Sequence, residues 1–281
     1  MSLFYRQLRG ELWKLFARKR TYIGFGAFLA LEIVILIIFQ IPKVQRSWRH
    51  FIERAGGGFD EYFSGLTLAF QVVYWTTFLL GGLYIALVAG DVVSKEVEDG
   101  TLRMTLCRPV SRVRVLLLKY VACLIYTAVL VAFIGVSALL VATARQGTGG
   151  FFVFQPLEKL FVLYEFWPGL GRYLASLPLL GLSLMTVASV GFALSCFNMK
   201  PAAATICTLS YFFADLIFRD IPYFESIREW FITSHTDTWY NIFRVPVPVQ
   251  LMVEDYAYLL AVNATVVIIG ALNFQQRDFK S

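Results

Sequence analysis

Charged residues are distributed very unevenly along this chain. Four long stretches carry none: 62–90, 120–144, 173–199 and 256–276. Two more carry one each, 21–41 with Glu32 and 201–218 with Asp215. A membrane-crossing helix needs about 20 mostly apolar residues, so the pattern predicts six spans. The first stretch reads as a span rather than a signal peptide. The basic region before it is too long, and no small-residue cleavage site follows Ile41.

Residues 3–20, LFYRQLRGELWKLFARKR, differ in kind. Leu8, Leu12, Leu15 and Phe16 fall close to helical spacing, and basic residues fill the other side. That predicts an amphipathic helix lying in the membrane interface with Trp13 at headgroup depth; a plain basic anchor is the simpler alternative. Residues 42–65 read as an outer loop, flexible at Gly56, Gly57 and Gly58. Residues 145–172 are too aromatic for a solvated loop and are expected to pack on the interface. Lys200 anchors a short connection, and Pro201 is placed to open a helix. The segment 219–255 holds short amphipathic pieces. They predict re-entrant helices that bury Trp230, Phe231, Trp239 and Phe243 in the outer leaflet. The expected fold is an all-α integral membrane protein, a single transmembrane domain over 1–281.

Composition agrees. Of 281 residues, 58% are hydrophobic and 16% charged, against about a quarter charged in soluble domains. The mean hydropathy is +0.65. The net charge of +6 is sided. With the N-terminus inside, 15 basic residues fall on the inner side and 10 in the outer segments, which places both termini in the cytoplasm. Basic residues that flank spans argue against a nucleic-acid partner. Of the four cysteines, Cys123, Cys196 and Cys207 fall in spans and Cys107 on the inner side, so no disulfide framework is implied. No Gly-Lys pair occurs, so the chain has no nucleotide-binding P-loop.

One block stands out between two spans: SKEVEDGTLRMTLCRP, residues 94–109. Gly100 breaks the charged run, Thr101 can cap a short helix that Pro109 ends, and Ser111 can cap the next helix. Leu102, Met104 and Leu106 do not make a lipid-facing stripe. A solvated loop carrying topology charges is the bland alternative.

The longer segment KEVEDGTLRMTLCRPVSRVRVLLLK resembles the cytoplasmic loop of ABC-2-type transporter permeases. Two glutamates two apart precede Gly-Thr, and a short helix, Pro-x-Ser-Arg and a later lysine follow. Here these are Glu96, Glu98, Gly100, Thr101, Pro109, Ser111, Arg112 and Lys119. The resemblance implies a permease subunit in a bacterial or archaeal plasma membrane. Two copies, or this chain and a homologue, form the core. Separate ATPase subunits dock below it and hold the ATP, with no cofactor on this chain. It also implies that the segment with Glu96, Glu98, Gly100, Thr101, Leu102, Arg103, Leu106, Pro109 and Arg112 couples to the ATPase. Export is the commoner direction in the family.

Two rival readings stand beside this one. A membrane-embedded enzyme would draw on His235 and Asp237, with Glu225 and Glu229 nearby in sequence. A permease-like scaffold or sensor would carry the same loop. Glu32 reads either as a translocation-path or dimer-interface residue, or as a protonated carboxyl bonded to a neighbouring helix. Asp215 is expected to pair with Arg219 one turn on.

Overall fold

The computed structural model describes residues 3–17, 19–102, 111–156 and 160–276. Among them, six helices are long and apolar enough to cross a membrane, as the charge pattern predicts. The first is α2 (Lys19–Ile38), preceded by α1 (Leu3–Phe16). Leu8, Leu12, Leu15 and Phe16 of α1 pack on the core, and Trp13 on the opposite face is 76% exposed. The Thr21 hydroxyl takes up the Leu15 carbonyl at 2.7 Å, one of the acceptors a helix end leaves open.

The second span is compound. α5 (Gly65–Thr76) runs through a single π-helical turn, Thr77–Gly81, into α6 (Gly82–Glu98). The whole helix has 34 residues, about 50 Å at 1.5 Å per residue, against roughly 30 Å of hydrocarbon. It therefore continues well beyond the uncharged run. Residues 94–98 are its last turns rather than the start of a separate cytoplasmic piece, a correction to the boundary read from charge. α7 (Arg112–Gln146) is equally long and begins where expected, with the Ser111 hydroxyl accepting from the Arg114 amide at 3.4 Å. α8 (Phe166–Cys196) occupies the centre, 67% buried over its best apolar window. α9 (Pro201–Arg219) and α11 (Val249–Gln276) are 17% buried by the same measure and form the periphery. Gly270 lets α11 approach α8 closely, since a Cβ there would lie 2.9 Å from the Ala193 backbone.

At the end of the spans away from α1, the structure departs from the expected loops. Residues 42–54 form a helix rather than a loop. Pro42 opens α3 (Pro42–Arg54), whose Trp48 and Ile52 are buried. The chain turns only at Gly56, at a φ of 88°. A short α4 (Phe59–Tyr62) follows. The aromatic segment after α7 is an antiparallel hairpin, β1 (Phe151–Gln155) with β2 (Leu160–Tyr164), an addition to the all-α expectation. Strands bury their backbone only where partners exist. Here α5 supplies them: Thr67 Oγ1 accepts from the Phe152 amide at 2.9 Å, and Gln71 Nε2 donates to the Phe154 carbonyl at 3.0 Å. Phe151, Phe152 and Val153 pack inside the protein rather than along the interface.

Short helical pieces fill the 219–255 segment, as expected. They are a 3-10 helix at Pro222–Trp230, α10 (Ile232–Thr236) and a 3-10 helix at Asp237–Phe243. Trp239 and Phe243 are buried against Phe70 within the protein, whereas Trp230 is exposed. The expected Asp215–Arg219 pair is not what forms. Asp215 Oδ2 accepts from the Thr233 amide at 2.7 Å, and Arg219 reaches Asp237 at 2.6 Å. The fold of 232–237 over the end of α9 offers both side chains better-placed partners than each other.

Candidate coupling site at the α1, α6 and α7 junction

Glu96 and Glu98 lie two residues apart on one helix, so their side chains leave on nearly opposite sides. Glu98 takes the outward direction. It meets Lys95 at 3.0 Å, with Asp99 at 3.3 Å from the same ammonium. Such exposed pairs contribute about 0–1 kcal/mol. Glu96 turns inward and is nearly buried. It meets Lys119 of α7 at 2.7 Å. Lys119 is only 1% exposed and also binds Glu11 of α1 at 2.9 Å. Lys14, one turn beyond Glu11, completes the group at 2.7 Å from Glu11 and 3.6 Å from Glu96.

Two carboxylates and two ammoniums thus alternate around a junction of three helices. A buried charge is tolerated only where it is paired, and each of the four charges here has two opposite partners. Burial alone would push the Glu11 carboxyl up. The Lys119 and Lys14 ammoniums outweigh that and hold it below its ordinary value. Burial would push the Lys14 ammonium down, and Glu11 and Glu96 hold it above its ordinary value.

The rest of the segment is anchored around this group. α6 stops because Gly100 adopts a φ of 69°, a left-handed conformation that glycine takes at little penalty. The Thr101 hydroxyl donates back to the Glu96 carbonyl at 3.3 Å. Leu102 is buried in the chain's own core. Arg112 donates to the Gln275 carbonyl of α11 at 3.0 Å. Arg103, Leu106 and Pro109, with the short helix expected there, lie outside the described residues. Of the candidate residues, then, Glu96 joins the junction, Glu98 faces outward, and Gly100, Thr101, Leu102 and Arg112 hold the ends of the segment.

Glu11 and Lys14 were missed as partners of this site. The signal was present, since Glu11 is the sole acid in a strongly basic first 20 residues. Glu32 lies elsewhere, fully buried within the chain, where the Ser137 hydroxyl of α7 donates to its Oε1 at 2.8 Å.

The residues of the rival enzyme reading line a cleft of about 1260 Å³ at the far end of the spans. His235 sits between Asp255 at 2.7 Å and the Glu229 carbonyl at 2.8 Å, while Asp237 is held by Arg219. Among the described residues, no three His, Cys, Asp or Glu side chains gather to hold a metal ion.

Six membrane-length helices, with a charged junction where the second and third meet, define a multi-pass membrane protein. The profile described as "ABC-2 family transporter protein" matches residues 16–226, and the chain belongs to that family. Its members are membrane components of transporters rather than enzymes, and normally work with an ATPase subunit. The chain is also similar to "Uncharacterized protein YhcI" of Bacillus subtilis (strain 168), 31% identical over 72 residues. That match spans 26% of this chain and 23% of the relative.

Proposed function

We propose that this chain couples a separate ATPase subunit to a translocation path, with residues 94–109 as the docking element. The observation that carries the reading is the buried Lys119 joined to both Glu11 and Glu96. The docking segment leaves α6 and enters α7, and this lysine fastens both helices to α1. Arg112 adds the end of α11. A displacement at the segment therefore moves four helix ends together instead of being absorbed in a loop. Glu98, Lys95 and Asp99 stay on the surface, where a partner can meet them.

In this reading two copies, or one copy and a homologue, form the core in a bacterial or archaeal plasma membrane. The ATPase, with its ATP, binds on the cytoplasmic side, where both termini lie. α1 rests in the inner interface through Trp13, and the segment 219–255 faces outward. The direction is export.

The test is an insertion of two glycines after Gly100. The tagged chain is purified from its native membranes, and ATPase copurification and ATP hydrolysis are measured. The insertion is expected to leave ATPase docking and chain abundance near normal while hydrolysis no longer responds to the membrane subunit. Normal hydrolytic coupling in the insertion variant would refute the mechanism. Loss of copurification on reversing Glu98 to Lys together with Lys95 to Glu would support the docking surface.

A further inference from the structure

The 3-10 helix at Pro222–Trp230 is held in place by polar bonds rather than by packing. None of its residues is buried, and only Phe224 is half-buried. Little apolar contact fixes it, which puts it at the low end of local stability. Side chains of the neighbouring elements instead reach its last three carbonyls. Ser234 Oγ donates to that of Arg228 at 2.7 Å, and Tyr258 Oη to that of Trp230 at 3.1 Å. His235 Nε2 lies 2.8 Å from the Glu229 carbonyl between them. The same segment forms one wall of the large cleft, through Glu225, Arg228, Glu229 and Trp230.

Of these three ties, the one from His235 depends on a proton. A carbonyl oxygen only accepts, so Nε2 must carry a hydrogen. Asp255 Oδ1, 2.7 Å from Nδ1, is also an acceptor when ionised. The pair therefore holds one proton more than a neutral histidine beside an ionised aspartate. A neutral ring has one N–H. It turns a lone pair either on the Glu229 carbonyl or on the Asp255 carboxylate, and that contact becomes repulsive. The ring has little room to step aside. It stacks on Tyr258 at 4.1 Å, and the side chains of His235 and Asp255 are only 15% and 17% exposed.

Other charges stand around the ring. On α11, Glu254 accepts from Gln250 at 3.0 Å. On α9, Asp215 accepts from the Thr233 amide, and Arg219 pairs with Asp237 of the following 3-10 helix. α8 brings only Arg172, held by the Ile242 and Arg244 carbonyls. Glu225, Arg228 and Glu229 are exposed on the wall itself. Burial pushes the Asp237 carboxyl above its ordinary value, against the pull of Arg219, so a response confined to acid would belong to Asp237. Histidine is the side chain suited to a change of charge near neutral pH.

We propose that His235 is a proton-operated latch between the 222–230 segment and α11, fixing that wall of the cleft when protonated and releasing it when neutral. The sign follows from the bonds. The ties to Glu229 and Asp255 are both present on the imidazolium, and one of them is lost as pH rises. The latch lies at the end of the spans away from the ion-paired junction and does not depend on ATPase coupling.

Two nitroxide labels test it, at Tyr223→Cys and Leu260→Cys in the full chain without its native cysteines; both positions are exposed. Pulsed electron paramagnetic resonance in detergent reads the distance between them at about pH 5.5 and about pH 9, either side of the range in which histidine changes charge. The parent is expected to show one narrow population at the lower pH and to gain a second, longer one at the higher. His235→Gln should show both populations at both pH values. Asp255→Asn should show the narrow one alone at both, because its amide donates to Nδ1 of a neutral ring while Nε2–H keeps the Glu229 carbonyl. Loss of the pH response in opposite directions is what a merely structural contact would not produce. An identical parent distribution at the two pH values would overturn the proposal. So would a pH response that survives in His235→Gln, or a longer population in Asp255→Asn.

Discussion

Lys119→Met is the sharpest probe of the junction. Methionine matches the length and apolar stem of lysine but removes the ammonium. It leaves Glu11 and Glu96 facing a site from which their shared partner, 2.9 and 2.7 Å away, has gone. Removing one partner of a buried pair costs about 3–5 kcal/mol, mostly because the other charge stays buried and uncompensated. Lys14 survives, but it is half exposed and stands 3.6 Å from Glu96, so it offsets only part. The expected loss is about 3 kcal/mol. The double variant Glu96→Gln with Lys119→Met removes the orphaned charge as well and keeps the Glu11–Lys14 pair. It is expected to recover most of the loss, since replacing both partners of a buried pair is often nearly neutral. The assay is a double-mutant cycle on unfolding of the purified chain in detergent, followed by tryptophan fluorescence. A coupling below about 0.5 kcal/mol would refute the idea that this lysine clamps α6 to α7. The same variants separate clamp from coupling: if the double variant is stable yet its ATPase hydrolysis no longer responds to the membrane subunit, the charges transmit movement as well as hold helices.

The junction should also have a defined pH window. The folded Glu11 carboxyl sits below its ordinary value, so its stabilisation is present above that value and fades as pH falls through the folded one; Lys14, held above its ordinary value, loses its contribution as pH rises through its folded value. The stability difference between the parent and Glu11→Gln with Lys14→Gln should therefore be flat from about pH 5 to 10 and shrink outside it. At Glu32, Gln should preserve the bond from Ser137, and Leu should cost only about 1 kcal/mol, because Ser137 also reaches the Phe133 carbonyl at 2.7 Å; a loss above about 3 kcal/mol for Leu would mean the carboxyl carries a structural charge. For topology, single cysteines at Gly57 and at Asp99 should differ, the first reacting with an impermeant thiol reagent added outside cells and the second not; the reverse pattern would invert the orientation and the docking side with it.

Much of this protein was written in one dimension. Charge-free runs set the six spans, because a buried backbone in lipid must satisfy itself within a helix and its side chains must be apolar. Local chemistry set the boundaries of the charged block: Gly100 for the left-handed turn and Ser111 for the cap. The partners of the block were another matter. That Glu96 faces inward while Glu98 faces outward follows from helix geometry, but Lys119 and Glu11 become its neighbours only through packing across 23 and 85 positions of chain. The hairpin at 151–164 is not legible in its own sequence, because its strands are held by hydrogen bonds with Thr67 and Gln71 of a distant span. α3 was hidden behind its glycines, and its amphipathic face has meaning only against Phe39 and Phe154. Asp215 and Arg219 matched a local ion-pair rule and still chose other partners, since the fold of 232–237 offered a backbone amide and a carboxylate at closer range. Local composition sets what each segment must avoid in a membrane. Which polar groups satisfy one another is fixed by packing, because that choice depends on distances between segments that no local pattern encodes.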